Sequence, residues 1–231
     1  MPKAGGRVRQ LARDRKNEAF VRFFGVFILV FAPLLILWLV PKALGLGLLI
    51  LIACWVGAGV LWQQGQKLLI RAKQANQGAQ GEEQIAKLLE TLEDQGWEIT
   101  YNLRLKRWGD ADAVLCSPKS NYFVVDVKSH KAGVFFDGTM LKRRYGKQVR
   151  DFDRNKDFLK DMRGQAGTLK EMKGVVVQPI ICFTQARLEK INWQKPINCV
   201  YVVQANNLLG LLDFLERGGV KGEGSGEKPG F

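Results

Sequence analysis

Residues Gly109 to Lys128 read GDADAVLCSPKSNYFVVDVK. Asp112 to Cys116 and Tyr122 to Lys128 are apolar runs rich in β-branched residues. Ser117-Pro118-Lys119-Ser120-Asn121 between them is a cluster of turn formers, so the stretch predicts a β-hairpin. Centring that hairpin on Lys119 sets Asp112 opposite Asp126 and Asp110 opposite Lys128. Alternation then puts all four on one face of the sheet. A slip of one residue would move every one of them to the other face.

Two carboxylates facing one another repel unless positive charge lies between them. Asp112 and Asp126 are hard oxygen donors suited to Mg²⁺ or Mn²⁺, with the Val127 carbonyl, waters and a phosphate to fill the remaining positions. Such an ion acidifies a water and stabilises charge on a phosphate in flight. Lys128 is placed to orient the attacking water or to neutralise the transition state. Spacing alone also fits a plainer arrangement, a salt-bridge cluster on a solvated sheet face.

Working outward, Ile85, Leu88, Leu89 and Leu92 fall at helical spacing, so a helix is expected from about Glu82 to Asp94. Trp97 to Leu105 alternates like a strand. Gly133 to Phe136 and Met140 to Arg144 suggest a second hairpin around Asp137-Gly138. Gln148 to Met172 reads as a charged helix or helix pair. Val175 to Phe183 reads as a buried strand, with Pro179 pointing to an edge or bulge. Cys199 to Val203 is a further strand and Asn206 to Arg217 a helix. The order implies a mixed α/β domain, a sheet covered by helices.

The N-terminal quarter differs. Phe20 to Val40 and Ala43 to Trp62 are apolar runs of membrane-spanning length, broken only by Pro41 and Lys42. The first holds one charge, Arg22, near its end, and the second none. A tight transmembrane hairpin is expected. Lys3, Arg7, Arg9, Arg13, Arg15 and Lys16 precede it, Lys67, Arg71 and Lys73 follow it, and the turn offers only Lys42. Positive residues mark the cytoplasmic side, so both termini are expected there, making the chain a two-pass integral membrane protein. The expected divisions are a basic cytoplasmic arm (1–18), two transmembrane helices (19–62), a linker (63–81) that extends the second helix and then breaks at Gly78 or Gly81, a soluble domain (82–217) and a disordered tail (218–231).

The formal net charge is +13. Anionic lipid headgroups explain the basic N-terminal arm. The excess further on makes nucleic acid a candidate partner. Lys142, Arg143, Arg144, Lys147 and Arg150 open the densest basic run, which continues through Arg154 and Arg163 with Tyr145 and Phe152 interspersed. Phosphate neutralisation is one reading of it; a solvated helix face, with Asp151, Asp153, Asp157 and Asp161 among the cations, is the other. The four cysteines form no CxxC pair, and with a single histidine, His130, a zinc site is not expected.

The ordered motifs resemble the nuclease-related (NERD) domain of the PD-(D/E)xK restriction-endonuclease-like superfamily. Gly81-Glu82 matches the family's helix-opening Gly-Glu. Ala111-Asp112-Ala113 matches its I-D-H-like strand, with Ala113 in place of the histidine. Tyr122 to Lys128 matches its E-x-K strand, with Asp126 in place of the glutamate. Gly133, Gln165-Ala166 and Pro179 to Phe183 follow in order. The resemblance implies a restriction-endonuclease-like mixed sheet flanked by helices. It also implies Asp112 and Asp126 as metal ligands, with Lys128, Glu82 and Gln165 as catalytic or supporting residues. Glu82 read alone is a charge complementing a helix N-terminus, and Gln165 read alone an exposed helix residue. Together these features predict a membrane-anchored, Mg²⁺- or Mn²⁺-dependent nuclease-like protein that hydrolyses DNA or RNA phosphodiesters on the cytoplasmic side. The alternative is a non-catalytic nucleic-acid-binding or scaffold module at the membrane.

Overall fold

The structure, a computed structural model, describes residues 5–39, 44–105, 107–152 and 156–218. The turn expected at Pro41-Lys42, the tail beyond Gly218, and Lys3, Asp153 and Arg154 of the basic runs lie outside them. The chain divides into two compact units, residues 5–79 and the residues from Gln80 on.

In the first unit, α1 (Gly6–Leu39) packs along the first part of α2 (Leu44–Glu93). Arg22 donates to the Gln64 side chain at 2.9 Å, and Arg15 to the Arg71 carbonyl at 3.3 Å. Phe23 meets Trp62 edge to face at 5.1 Å. A Cβ on Gly25 would lie 3.3 Å from the Leu61 side chain. These pairs step in opposite directions along the two helices, so the helices run antiparallel. Buried small residues recur every seventh position, Ala12 and Ala19 on α1 and Ala58, Ala72 and Ala79 on α2 with Gly65 between. A seven-residue repeat keeps one seam facing its partner, and short side chains let the backbones approach closely. Away from that seam the surface is apolar: Phe20 is 73% exposed and Trp38 78%. Both helices are long and apolar enough to cross a membrane.

The helix does not break where expected. It extends past Trp62 as expected but runs on through Gly78 and Gly81 to Glu93 without a break. Propagating an existing helix past one glycine costs only about 1 kcal/mol, less than starting a new one.

The second unit is mixed α/β, with two sheets flanked by helices. One sheet has five strands in the order β1 (Glu98–Leu105), β2 (Gly109–Cys116), β3 (Tyr122–Lys128), β7 (Val177–Phe183) and β9 (Tyr201–Gln204). The first three are antiparallel, and β7 and β9 run parallel to β3. The other sheet has the order β6 (Gln148–Arg150), β5 (Leu141–Tyr145), β4 (Gly133–Phe136), β8 (Arg187–Leu188). One face of the five-stranded sheet buries Leu115, Phe123, Val125 and Ile180 against Ile85 and Leu89 of α2 and Leu208 and Leu211 of α4 (Leu208–Glu216). The other buries Val124, Ile181 and Phe183 against Leu159, Met162 and Leu169 of α3 (Phe158–Lys173), joined by Val134 and Leu141 of the smaller sheet.

Two further expectations are corrected. Pro179 lies in β7, an interior strand of the sheet rather than an edge strand, though outside the stretch that β9 pairs. β9 pairs with β7 only from Ile180 onward, so no ladder bond on that side is demanded of Pro179. The charged stretch from Gln148 is not one helix. Tyr145 pairs with Gln148 across Gly146, whose φ is 58°, closing a tight hairpin into β6. Helix α3 starts only at Phe158, where the Asp157 carboxylate caps the Leu159 and Lys160 N–H groups at 3.0 and 3.3 Å. It ends at Gly174, whose left-handed φ of 73° turns its N–H onto the Lys170 carbonyl.

Candidate active site

The hairpin register is the one the sequence implies. The β2–β3 ladder runs from Cys116↔Tyr122 through Leu115↔Phe123 and Val114↔Val124 to Ala113↔Val125. Its next step brings Asp112 to the level of Asp126. There the Asp112 carboxylate accepts a hydrogen bond from the Val127 backbone N–H at 2.6 Å. Lys128 pairs with Asp126 at 2.5 Å, their side chains only 20% and 13% exposed. The Lys128 ammonium also lies over the Phe158 ring, 4.9 Å from its centre.

Strict alternation fails at this point. Ala113 packs toward α2 and α4, yet Ala111 packs toward α3. The partner strand switches too, with Ile99 and Tyr101 on one side and Leu103 and Leu105 on the other. The switch falls at Asn102, whose φ of 54° lies in the left-handed region that asparagine tolerates. The twist re-aims both strands beside the acidic pair, as bulges commonly do next to functional sites.

Helix α2 reaches the same place through Gly81. A Cβ there would collide with the Ser129 hydroxyl and lie 3.2 Å from the Thr184 hydroxyl. Ser129 immediately follows β3, and Thr184 donates to Ser129 at 3.0 Å. Glycine thus lets α2 press against the ends of β3 and β7, which brings Glu82 close enough for its charge to act on Asp112. This is a packing reason for the Gly-Glu pair.

Gln165 comes in from α3. Its Nε2 donates to the carbonyls of Trp108 and Asp110 at 3.2 and 3.4 Å, fastening the turn between β1 and β2. Its Oε1 is buried with no partner among the described residues. Gln165, Trp108 and Asp110 line a cavity of about 240 Å³ together with Asp126, Lys128 and Phe158, among others. Asp112 and Glu82 stand outside this lining; the Asp112 charge acts on Lys128, and the Glu82 charge on Asp112. Trp108, Lys156, Phe158 and Asp161 border the cavity but were not singled out for the site from sequence. Asp161 was legible in principle, since it shares a helix face with Gln165 four residues on.

The electrostatics are those of crowded acids. Burial, the Asp126 charge and the Glu82 charge push Asp112 well above the usual carboxylate range, against the pull of Lys128 and the Val127 N–H. Burial alone would lower Lys128, but Asp126 and Asp112 outweigh it and raise the ammonium above the usual lysine value. The donor set fits a hard divalent cation: two carboxylates, one of which burial and the neighbouring acid drive toward protonation, with a buried amide oxygen that has no partner among the described residues. No group of three His, Cys, Asp or Glu side chains gathers at ligand spacing among the described residues. An ion here would therefore take waters or phosphate oxygens for most of its shell, as Mg²⁺ commonly does.

The expected basic residues lie on the smaller sheet. Lys142 pairs with Asp137 at 3.1 Å and Asp151 at 3.3 Å, and Arg144 with Glu189 at 2.9 Å. Arg143 donates to the Asp151 carbonyl at 2.9 Å. Lys147 and Arg150 are exposed beside Tyr145 and Val149, at and beyond the hairpin turn. His130 packs against Phe152, ring centres 5.0 Å apart.

Residues 77–184 match the nuclease-related domain family, NERD. The resemblance read from the sequence is borne out over that stretch, a little under half of the chain. The NERD match takes in Glu82, Asp112, Asp126, Lys128, Gln165 and the basic strands. Among solved structures, the crystal structure of a repair endonuclease from Pyrococcus abyssi is similar at 18% identity and a TM-score of 0.30, over 47% of this chain and 39% of that one. The chain thus spans about two fifths of that endonuclease. No curated protein matches the sequence.

Proposed function

We propose that the NERD domain is a metal-dependent phosphodiesterase acting on DNA or RNA, held at a membrane by α1 and α2 with both termini cytoplasmic. The observation that carries this reading is the joining of Asp112, Asp126 and Lys128 across one hairpin, beside Glu82, within the stretch that matches a nuclease-related family.

Asp112 and Asp126 would hold Mg²⁺ or Mn²⁺. Bound there, the ion supplies charge neutralisation at the phosphate and an acidified water. The chain's own residues do the rest. The Asp126 carboxylate fixes the Lys128 ammonium at the cavity wall. From there the ammonium can bind a non-bridging phosphate oxygen and stabilise the charge that grows on it in the transition state. Gln165 Oε1, buried and without a partner among the described residues, can accept a hydrogen bond from a water and so orient it. The Phe158 ring, over which the Lys128 ammonium lies, helps to shield the ion pair from bulk water. Lys147 and Arg150 would bind the phosphodiester backbone away from the reacting group.

A second reading, a non-catalytic nucleic-acid-binding module, draws on the Asp126–Lys128 ion pair. Lys128 already gives Asp126 a countercharge, so the acids can be satisfied in part without metal. Cleavage of DNA and RNA substrates in Mg²⁺ or Mn²⁺ separates the two. Wild type is expected to cleave, and Asp126→Ala with Lys128→Ala to reduce the rate by about 10³-fold or more, the scale of losing electrostatic stabilisation of a transition state. Equal rates for wild type and the double variant would end the catalytic assignment. Salt-dependent binding with no cleavage would favour the module.

A further inference from the structure

Trp108 stands at the turn between β1 and β2, and the nuclease reading gives its side chain no part. A Cβ on Gly164 of α3 would collide with the ring-fusion atoms Cδ2 and Cε2 of Trp108 and lie 2.7 Å from Cε3. Fusion atoms have ring on both sides, so that approach comes through the face of the indole. Gly164 is in the interior of α3, where glycine is less stable than alanine. The helix thus gives up stability to admit the ring against its backbone. Gln165, the next residue, donates to the Trp108 carbonyl at 3.2 Å. The indole is held at one face and through its own backbone.

A ring so held is not hidden. Trp108 is only part-buried, and the guanidinium of the exposed Arg107 stands 6.0 Å from its ring centre. The residue borders the cavity that Asp126, Lys128 and the exposed Lys156 also line. A fixed aromatic plane beside cations suits a single nucleic-acid strand, whose bases stack on the ring while its phosphates meet the charges. We propose that Trp108 stacks an unpaired base of the bound nucleic acid, so that the cavity takes single-stranded DNA or RNA in preference to duplex. Within a duplex a base has both faces covered by its neighbours and must leave the stack to reach a ring. The proposal takes from the nuclease reading only that nucleic acid enters this cavity, and it adds the class of strand.

The test measures binding by the full chain in EDTA, by fluorescence anisotropy, to a short mixed-sequence DNA strand, to its duplex, and to an abasic strand of equal length. Wild type should bind the intact strand about tenfold or more tighter than the abasic one, the scale of one stacked base, and tighter than the duplex. Trp108→Leu keeps an apolar side chain without a π face and should bring the intact-to-abasic ratio close to one. Trp108→Phe should keep most of it. Binding of the abasic strand, which senses phosphate contacts alone, should change far less in either variant, whereas a collapsed site would weaken both strands together. A folded Trp108→Leu variant that keeps the ratio overturns the proposal, and so does wild type that binds duplex as tightly as single strand. If Trp108→Leu loses structure by circular dichroism, a strand carrying 5-iodouracil is irradiated with wild type instead. A cross-link at Trp108, located by mass spectrometry, supports the proposal, and cross-links only elsewhere overturn it. Wild type that shows the expected ratio but cleaves no strand in Mg²⁺ or Mn²⁺ overturns the nuclease reading and leaves the stacking site standing.

Discussion

The Asp112 carboxylate accepts the Val127 backbone N–H at 2.6 Å, so an acid on β2 is fastened to β3 between the two members of the Asp126–Lys128 pair. The contact serves structure and chemistry at once, and two substitutions separate them. Asp112→Ala strands a part-buried N–H and is expected to destabilise by about 1–3 kcal/mol. Asp112→Asn keeps an acceptor and should stay near wild-type stability. Both should lose Mg²⁺-dependent cleavage. Urea denaturation in EDTA, read beside cleavage rates, checks the split; an Asn variant as active as wild type would remove Asp112 from the metal site.

The same residue sets a pH dependence. Burial first, and the Asp126 charge second, raise Asp112 well above its unfolded value. Between those two values the folded chain holds a proton that the unfolded chain has released. Stability must then fall as pH rises through that window. Metal-free protein should show urea midpoints that decline from the ordinary carboxylate range upward, and Asp112→Asn should flatten the decline. Mg²⁺ needs the carboxylate deprotonated, so its stabilising effect should grow with pH. Parallel wild-type and variant curves in EDTA would show that Asp112 does not titrate there.

Gly81 offers a test of how the helix seats Glu82. A Cβ at this position meets the Ser129 hydroxyl first and the Thr184 hydroxyl next. Gly81→Ala should therefore destabilise by about 1–3 kcal/mol, the usual range for overpacking, despite alanine's better helix propensity. Ser129→Ala removes the atom in closest conflict, so the double variant should recover part of the loss. Thermal midpoints of the four proteins give the coupling directly, and strict additivity would show that the two residues do not meet.

What the sequence made legible and what it concealed divide along physical lines. The β2–β3 register followed from a short turn-rich loop between β-branched runs, because pairing there is local. The face switch at Asn102 was hidden, since alternation assumes extended backbone and one left-handed residue undoes it. An asparagine amid an alternating strand was the available signal. Gln148 to Arg150 carries charges that suit a helix surface or an exposed edge strand equally well. The boundary was written instead in Gly146 as the turn and Asp157 as the cap. Gln165 was legible only through family resemblance. Its reach to Trp108 and Asp110 depends on α3 packing against β7 and β3, a long-range packing that no local pattern encodes.

The basic strands predict a graded response in nucleic-acid binding. Lys142 and Arg144 are bound to Asp137, Asp151 and Glu189, so a phosphate would have to compete with carboxylates for them. Lys147 and Arg150 lie exposed near the β5–β6 turn and contribute to a phosphate contact at less expense. Each phosphate neutralised releases counterions and adds roughly 0.9 to the slope of log affinity against log salt for duplex DNA. Lys147→Gln with Arg150→Gln should therefore lower affinity and reduce that slope by about 2. Lys142→Gln should leave the slope nearly unchanged and act on stability instead, by releasing Asp137 and Asp151. Fluorescence-anisotropy titrations across a salt series, run in EDTA to prevent cleavage, measure both. An equal slope for wild type and the Lys147/Arg150 variant would move the nucleic-acid contact off this hairpin.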